Sequence, residues 1–77
     1  MTIKILAFGQ ISDILSGAEI ELDNIDNTEK LTVELNQKFP ELIRLKYAVA
    51  VNGELVSGRA ILKHQDSVAL LPPFSGG

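Results

Sequence analysis

The sequence predicts an α+β fold, in which a mixed sheet of four to five strands carries one main helix on one face and continues into an extended C-terminal tail. Several short stretches alternate between apolar and polar residues, as strands do, whereas only one long stretch has the apolar spacing of a helix. One helix cannot cover both faces of a sheet, so it packs on one. The last strand ends at two prolines, after which no apolar period continues.

The chain opens with two predicted strands that are joined through one helical turn. Residues 2–8 and 18–22 alternate as strands, and residues 11–15 place apolar side chains at the i, i+3, i+4 spacing of a helix. Both faces of the first strand are partly apolar, which leaves Leu6 and Phe8 opposite the predicted core. A strand with two apolar faces indicates that one of them meets a partner.

The main helix is predicted to run from Thr28, its N-cap, to about Phe39. Leu31, Leu35 and Phe39 form an apolar stripe at i, i+4, i+8. Pro40 ends the helix because a proline disfavours the helical conformation of the residue before it.

Three further strands complete the predicted domain, residues 1–71. Residues 46–51 alternate, Asn52-Gly53 predicts a tight turn into a short return strand at 55–56, and residues 68–71 form the last strand. The first and last strands are expected to lie side by side and parallel at the centre of the sheet. The predicted core consists of Ile3, Ile5, Ile20, Leu22, Leu31, Leu35, Phe39, Val49, Val51, Val68 and Leu70.

The remaining residues, 72–77, predict a flexible tail that reaches into a partner. Pro72 and Pro73 end the strand because neither donates a ladder hydrogen bond and both fix φ. Gly76 and Gly77 have no Cβ to clash with a narrow channel, and six extended residues span roughly 20 Å at about 3.3–3.6 Å each. The tail would carry a carboxylate into a partner's active site; the alternative is a frayed chain end.

Composition argues against several classes of function. A chain of 77 residues forms one small domain without room for a cleft between lobes. The absence of cysteine excludes a disulfide framework, a thiolate metal site and a thiol nucleophile. A net charge of -3 without a basic stripe argues against nucleic acid. With no run of about 18 apolar residues and no signal peptide, we expect a cytoplasmic protein without a membrane partner.

Titratable side chains offer no stronger candidate site. His64 lies in a predicted loop without a second ligand nearby, so we interpret it as a solvent-facing residue rather than a metal ligand or general base. Asp13, Glu19 and Glu21 are interpreted as a solvated acidic face. We expect no metal and no cofactor to be bound by this chain.

The predicted partner-binding surface is an apolar patch that crosses the first and last strands. A contiguous patch on a central strand pair favours an interface, although isolated exposed apolar residues are ordinary surface. The apolar patch consists of Leu6, Phe8, Ala69 and Leu71. Two prolines adjoin it in the predicted binding set, Pro72 and Pro73.

This order of elements with a Gly-Gly end resembles the ubiquitin-like β-grasp, and more closely the molybdopterin synthase small subunit (MoaD) family of sulfur carriers. Residues 3–10 resemble the first strand of that family and its aromatic-small-Gln step. Residues 11–15 resemble its short helical turn, which ubiquitin lacks. Residues 49–52 resemble its third strand, and residues 66–77 its ending.

The resemblance implies a sulfur carrier that is not catalytic alone. Gly77 would be adenylated by a MoeB-like activating enzyme that uses ATP, and then converted to a thiocarboxylate. Phe74, Ser75 and Gly76 would thread into a MoaE-like large subunit of a heterotetrameric synthase, where sulfur passes to cyclic pyranopterin monophosphate and forms the molybdopterin dithiolene. Two positions depart from the pattern: Ser12 stands where many members have Arg, and Phe74 where a smaller apolar residue is frequent.

Three other functions stay open at this point. The chain could carry sulfur for thiamine or another thiolated product, or modify proteins by joining Gly77 to lysines. It could also be a binding module with an incidental tail. Pro72-Pro73 and the helical turn at residues 11–15 favour the molybdopterin pathway.

Overall fold

The computed structural model describes residues 1–72, so the predictions for Pro73, Phe74, Ser75, Gly76 and Gly77 lie outside the described residues. None of the helices in residues 1–72 is long and apolar enough to cross a membrane. Two α-helices, a 3₁₀ helix at Pro40–Arg44 and five strands make up this part of the chain. Their bounds are β1 Thr2–Ala7, α1 Gln10–Leu15, β2 Glu19–Asp23, α2 Thr28–Lys38, β3 Ala48–Val51, β4 Glu54–Val56 and β5 Ser67–Leu71.

The five strands form one mixed sheet in the order β2-β1-β5-β3-β4. The pair β1 and β5 is parallel, and the other neighbours are antiparallel. The first and last strands therefore meet side by side at the centre, as the sequence predicts. The predicted α+β class, with four to five strands and one main helix, is confirmed.

The core fills the space between α2 and one face of the sheet. Seven predicted core residues are buried, namely Ile3, Ile5, Leu22, Leu31, Leu35, Val68 and Leu70. Four are half-buried and pack against them, namely Ile20, Phe39, Val49 and Val51. The predicted list omits six residues of the buried core cluster, namely Ala7, Ile11, Leu15, Ile25, Leu42 and Leu62. Ile25 and Leu62 lie outside regular elements, where apolar periodicity gives no signal.

The N-terminus of α2 differs from the prediction by one residue. Asn27 is the N-cap, and its Oδ1 accepts the N–H of Lys30 at 2.8 Å. Thr28 is the first helical residue and is 4% exposed. Its Oγ1 accepts the N–H of Ala60 at 2.8 Å and donates to the carbonyl of Gly58 at 3.2 Å. The prediction of Thr28 as the cap is wrong because this hydroxyl bonds a segment that is distant in sequence.

The predicted tight turn between β3 and β4 is present and is fastened to β5. Asn52 and Gly53 both have positive φ, at 50° and 88°, as a two-residue hairpin turn requires. The Asn52 side chain accepts the N–H of Ser67 at 3.0 Å and donates to the Asp66 carboxylate at 3.0 Å. The pKa of Asp66 lies below its usual value because Asn52 and the N–H of Lys63 both donate to its charged form.

Replacing Leu35 by alanine should destabilise the domain strongly. Leu35 is fully buried on α2, and Leu→Ala changes in cores cost about 2–5 kcal/mol. Val33→Ala on the same helix is the control, since Val33 is 53% exposed and should cost far less. Urea unfolding measures both free energies. Equal unfolding midpoints for the two variants would show that Leu35 does not belong to the buried core.

Replacing Thr28 by valine should also destabilise the domain, by about 1–3 kcal/mol, because it leaves two backbone groups without their side-chain partner. Thr32→Val is the matched control. The Thr32 hydroxyl donates to the carbonyl of Thr28 within the same helix, at 3.0 Å. Chemical unfolding compares the two changes, and a smaller effect at Thr28 would contradict its role as a tie between segments.

Candidate functional site

The sheet face opposite α2, here called the open face, carries a row of apolar side chains across four strands. The row follows from the register: Leu6 pairs with Ala69, Ala69 with Ala50, and Ala50 with Leu55. Residues directly opposite each other on neighbouring strands share a face. Leu55 is 70% exposed. The open face therefore presents a contiguous apolar surface that no described element covers.

All four residues of the apolar patch lie at or beside this row. Leu6, Ala69 and Leu71 alternate with buried core residues along β1 and β5 and are half-buried on the open face. Phe8 follows the end of β1 and is 49% exposed. The structure thus brings Leu6 and Ala69 directly opposite each other, with Leu71 and Phe8 towards the edge where both strands end.

Three further residues extend the patch beyond the predicted set. Ala48 pairs with Leu71, and Ala50 with Leu55. Ala50 is only 6% exposed although it lies outside the core cluster, because it is small and has neighbours on both sides of its strand. The Asn52-Gly53 turn could have predicted that Leu55 lies in this row, since a two-residue turn fixes the register of its flanking strands. The predicted patch did not include Ala48, Ala50 or Leu55.

Acidic residues border the apolar row on the β2 side. Glu19 pairs in register with Leu6, and Glu21 with Lys4. The Lys4 Nζ lies 3.8 Å from Glu19 Oε2, and both side chains are about half exposed. Such exposed ion pairs contribute about 0–1 kcal/mol. Glu19, Glu21 and Asp13 are all exposed, in agreement with their interpretation as solvated residues.

Pro72 lies where the chain leaves the sheet. Because β1 and β5 are parallel, their C-terminal ends meet at the same edge, next to Phe8 and Gly9. A methyl group placed on Gly9 would lie 3.6 Å from Pro72 Cγ, an ordinary van der Waals distance, so the proline ring lies next to Gly9. The chain therefore leaves the sheet beside the apolar patch. The candidate tail residues, Pro73 to Gly77, lie outside the described part of the chain.

His64 holds the start of β1. Its side chain is exposed in a turn, and its Nδ1 accepts the N–H of Thr2 at 2.9 Å. Thr2 in turn donates its hydroxyl to Asp23 Oδ1 at 2.7 Å. Residues 1–72 contain no group of three or more side chains that could hold a metal ion. The contact with Thr2 gives His64 a structural role at the opposite end of β1 from the patch.

Comparison with known proteins identifies relatives over the whole chain. The profile of the ThiS family matches residues 5–77. The molybdopterin synthase sulfur carrier subunit of Arabidopsis thaliana is 34% identical, over 97% of this chain and 82% of the plant protein.

The fold is shared by solved structures that include a molybdopterin-converting factor complex and an archaeal modifier protein. Subunit 1 in a protein-protein complex of subunits 1 and 2 of molybdopterin-converting factor from Helicobacter pylori superposes with a TM-score of 0.76, at 26% identity over 100% of both chains. The small archaeal modifier protein 1 of Haloferax volcanii gives 0.82, at 20% identity over 100% of both chains. The second likeness shows the ubiquitin-like β-grasp fold alone.

The family match and the plant relative agree with the architecture and with the resemblance found in the sequence. The chain belongs to the ThiS family, and its predicted resemblance to the MoaD group of β-grasp sulfur carriers is confirmed.

Proposed function

We propose that this chain is the sulfur-carrier subunit of a molybdopterin synthase. The observation that carries the proposal is the 34% identity to the plant sulfur carrier over nearly the whole chain. The structure supports it with an open apolar face and with a chain that leaves the sheet beside that face at Pro72. A carrier needs both features, a surface that docks and a segment that reaches beyond it.

Gly77 provides the reacting group of the proposed carrier. Its carboxylate is a poor electrophile, so a MoeB-like activating enzyme first transfers AMP from ATP to it and releases pyrophosphate. A sulfur nucleophile then attacks the carbonyl carbon, AMP leaves, and a thiocarboxylate forms. The sulfur stays covalently attached to the carrier, which confers a high effective concentration at the next step. The chain contains no cysteine, so the sulfur is supplied from elsewhere.

The proposed acceptor partner is a MoaE-like large subunit that receives residues 73–77 in its active site. The open face docks through Leu6, Phe8 and Ala69 while the tail delivers sulfur to cyclic pyranopterin monophosphate. The Helicobacter pylori complex of subunits 1 and 2 supports such a partner. With a net charge of -3, the carrier leaves phosphate recognition to the large subunit.

Protein modification is the competing function. The fold does not choose between the two, because the archaeal modifier at 20% identity shares only the architecture. Both functions begin with activation of a C-terminal carboxylate, but a modifier forms an isopeptide bond with a lysine, whereas a sulfur carrier forms a thiocarboxylate. The two products therefore differ in mass and in what they are attached to.

Adding one residue after Gly77 should abolish sulfur loading. The addition moves the carboxylate by about 3.5 Å, and a displacement of 1 Å can cost about a hundredfold in rate. Deleting Gly77 should have the same effect, whereas one residue added before Met1 is a control that should load normally. The measurement is intact mass after incubation with the activating enzyme, ATP and a sulfur donor.

The expected product has one oxygen replaced by sulfur. The sulfur-carrier proposal fails if the wild-type chain never gains this mass, or if the extended chain gains it equally well. Lysine conjugates in place of the thiocarboxylate would favour the modifier function.

Phe8→Asp should weaken binding to the large subunit while the domain remains folded. Buried aromatic residues at interface centres contribute about 2 kcal/mol or more, which corresponds to roughly 30-fold in Kd. Val33→Asp is the matched control, because Val33 is similarly exposed but lies on α2, on the other side of the sheet. Calorimetric titration measures both affinities. Equal affinity for the two variants would show that Phe8 does not belong to the interface. Unfolding of Phe8→Asp would show that Phe8 contributes to the core.

A further inference from the structure

The ends of β1 and β5 stay close together beyond their last paired residues. Ala7 and Leu70 form the last pair in the parallel register. Gly9 and Pro72 each follow two residues later, and the Pro72 Cγ lies 3.6 Å from the position that a Gly9 methyl would take. The chain thus turns away from both strands at the same place.

Gly9 has a backbone conformation that side chains disfavour. Its φ is 57° and its ψ is -132°, which is the mirror image of an extended conformation and is readily adopted only by glycine. Its carbonyl is held by the first turn of α1. That oxygen accepts the hydroxyl of Ser12 at 2.7 Å and the N–H groups of Ser12 and Asp13 at 3.1 and 3.4 Å. Gly9 is therefore fixed from both sides, by β1 and by α1.

Pro72 cannot hold its own position through the sheet. It has no N–H, so it donates no hydrogen bond to the ladder, and its ring fixes φ. What determines the direction of the chain at this residue is the surface against which the ring packs. Within residues 1–72, Gly9 lies next to that ring.

We propose that Gly9 is a positioning residue for the tail: it supports the Pro72 ring, so that the chain leaves the sheet in one direction relative to the apolar patch. This inference depends on the proposed sulfur-carrier function. Docking through the open face and aiming of the tail are then separate properties. Changes at Gly9 or Pro72 should impair the reaction of a docked carrier more than its docking.

Three variants test the inference. Gly9→Ala forces a side chain into the disfavoured conformation beside Pro72, and Pro72→Ala removes the ring without that strain. Gly53→Ala is the matched control for backbone strain. Gly53 has a φ of 88°, and within the described residues a methyl group there would meet no atom within 4 Å beyond its chain neighbours. Its turn is at the opposite end of the sheet from Pro72.

The measurement is the rate of thiocarboxylate formation with the activating enzyme against carrier concentration, at a temperature where circular dichroism shows every variant folded. Gly9→Ala and Pro72→Ala should lower kcat at least tenfold and change KM less than threefold. Gly53→Ala should leave both constants near their wild-type values. A 1 Å misplacement of the reacting carboxylate is enough for such a loss, because it can lower the rate about a hundredfold.

Two results overturn the inference while the function stands: equal kcat for Gly9→Ala and Gly53→Ala, or losses at Gly9 and Pro72 that appear in KM alone. If Gly9→Ala does not fold, Pro72→Ala decides by the same criterion. A wild-type chain that never gains sulfur overturns the proposed function, and the inference with it.

Discussion

The parallel pairing of β1 with β5 is the constraint on which the rest of the structure depends. Parallel neighbours cannot be joined by a tight turn, so the chain between them must cross over and return. Here that connection includes both α-helices and the other three strands. The two central strands contribute Ile3, Ile5, Val68 and Leu70 to one face, where α2 covers them. Burial of these side chains holds the non-local pairing in place.

The same pairing determines where the open face and the chain exit lie. Side chains alternate between the two faces of the sheet along both central strands, and the helix covers only one of those faces. Leu6 and Ala69 are consequently fixed opposite each other by a buried core on the reverse of the sheet. Parallel strands also end at the same edge, which brings Pro72 beside Gly9. A docking surface next to the point where the chain leaves the sheet is the arrangement that the proposed carrier requires.

Side-chain hydrogen bonds help to hold the connection between β4 and β5, together with an isolated antiparallel bridge between Asn27 and Ile61. The Thr28 hydroxyl ties Ala60 and Gly58 to the start of α2. At the other end of the connection, Asn52 and Asp66 bond each other ahead of β5. Buried polar groups need such partners, since an unpaired one costs about 1–3 kcal/mol. Leu62 is buried in this connection although its segment shows no apolar period, and its N–H donates to the carbonyl of Asp26 at 2.9 Å.

The sequence by itself determined the elements, their order and most of the core, because alternation, the α2 stripe and the Asn52-Gly53 turn are local patterns. It also indicated the outward phase of Leu6 and Ala69. Only the tertiary structure decided the N-cap of α2, the burial of Ile25 and Leu62, and the approach of Pro72 to Gly9. Each of these depends on residues far apart in the chain: the Thr28 hydroxyl bonds Ala60, and Pro72 meets Gly9 only because β1 and β5 run parallel. The local spacing of residues contains no information on such partners, because they come together only when the sheet forms.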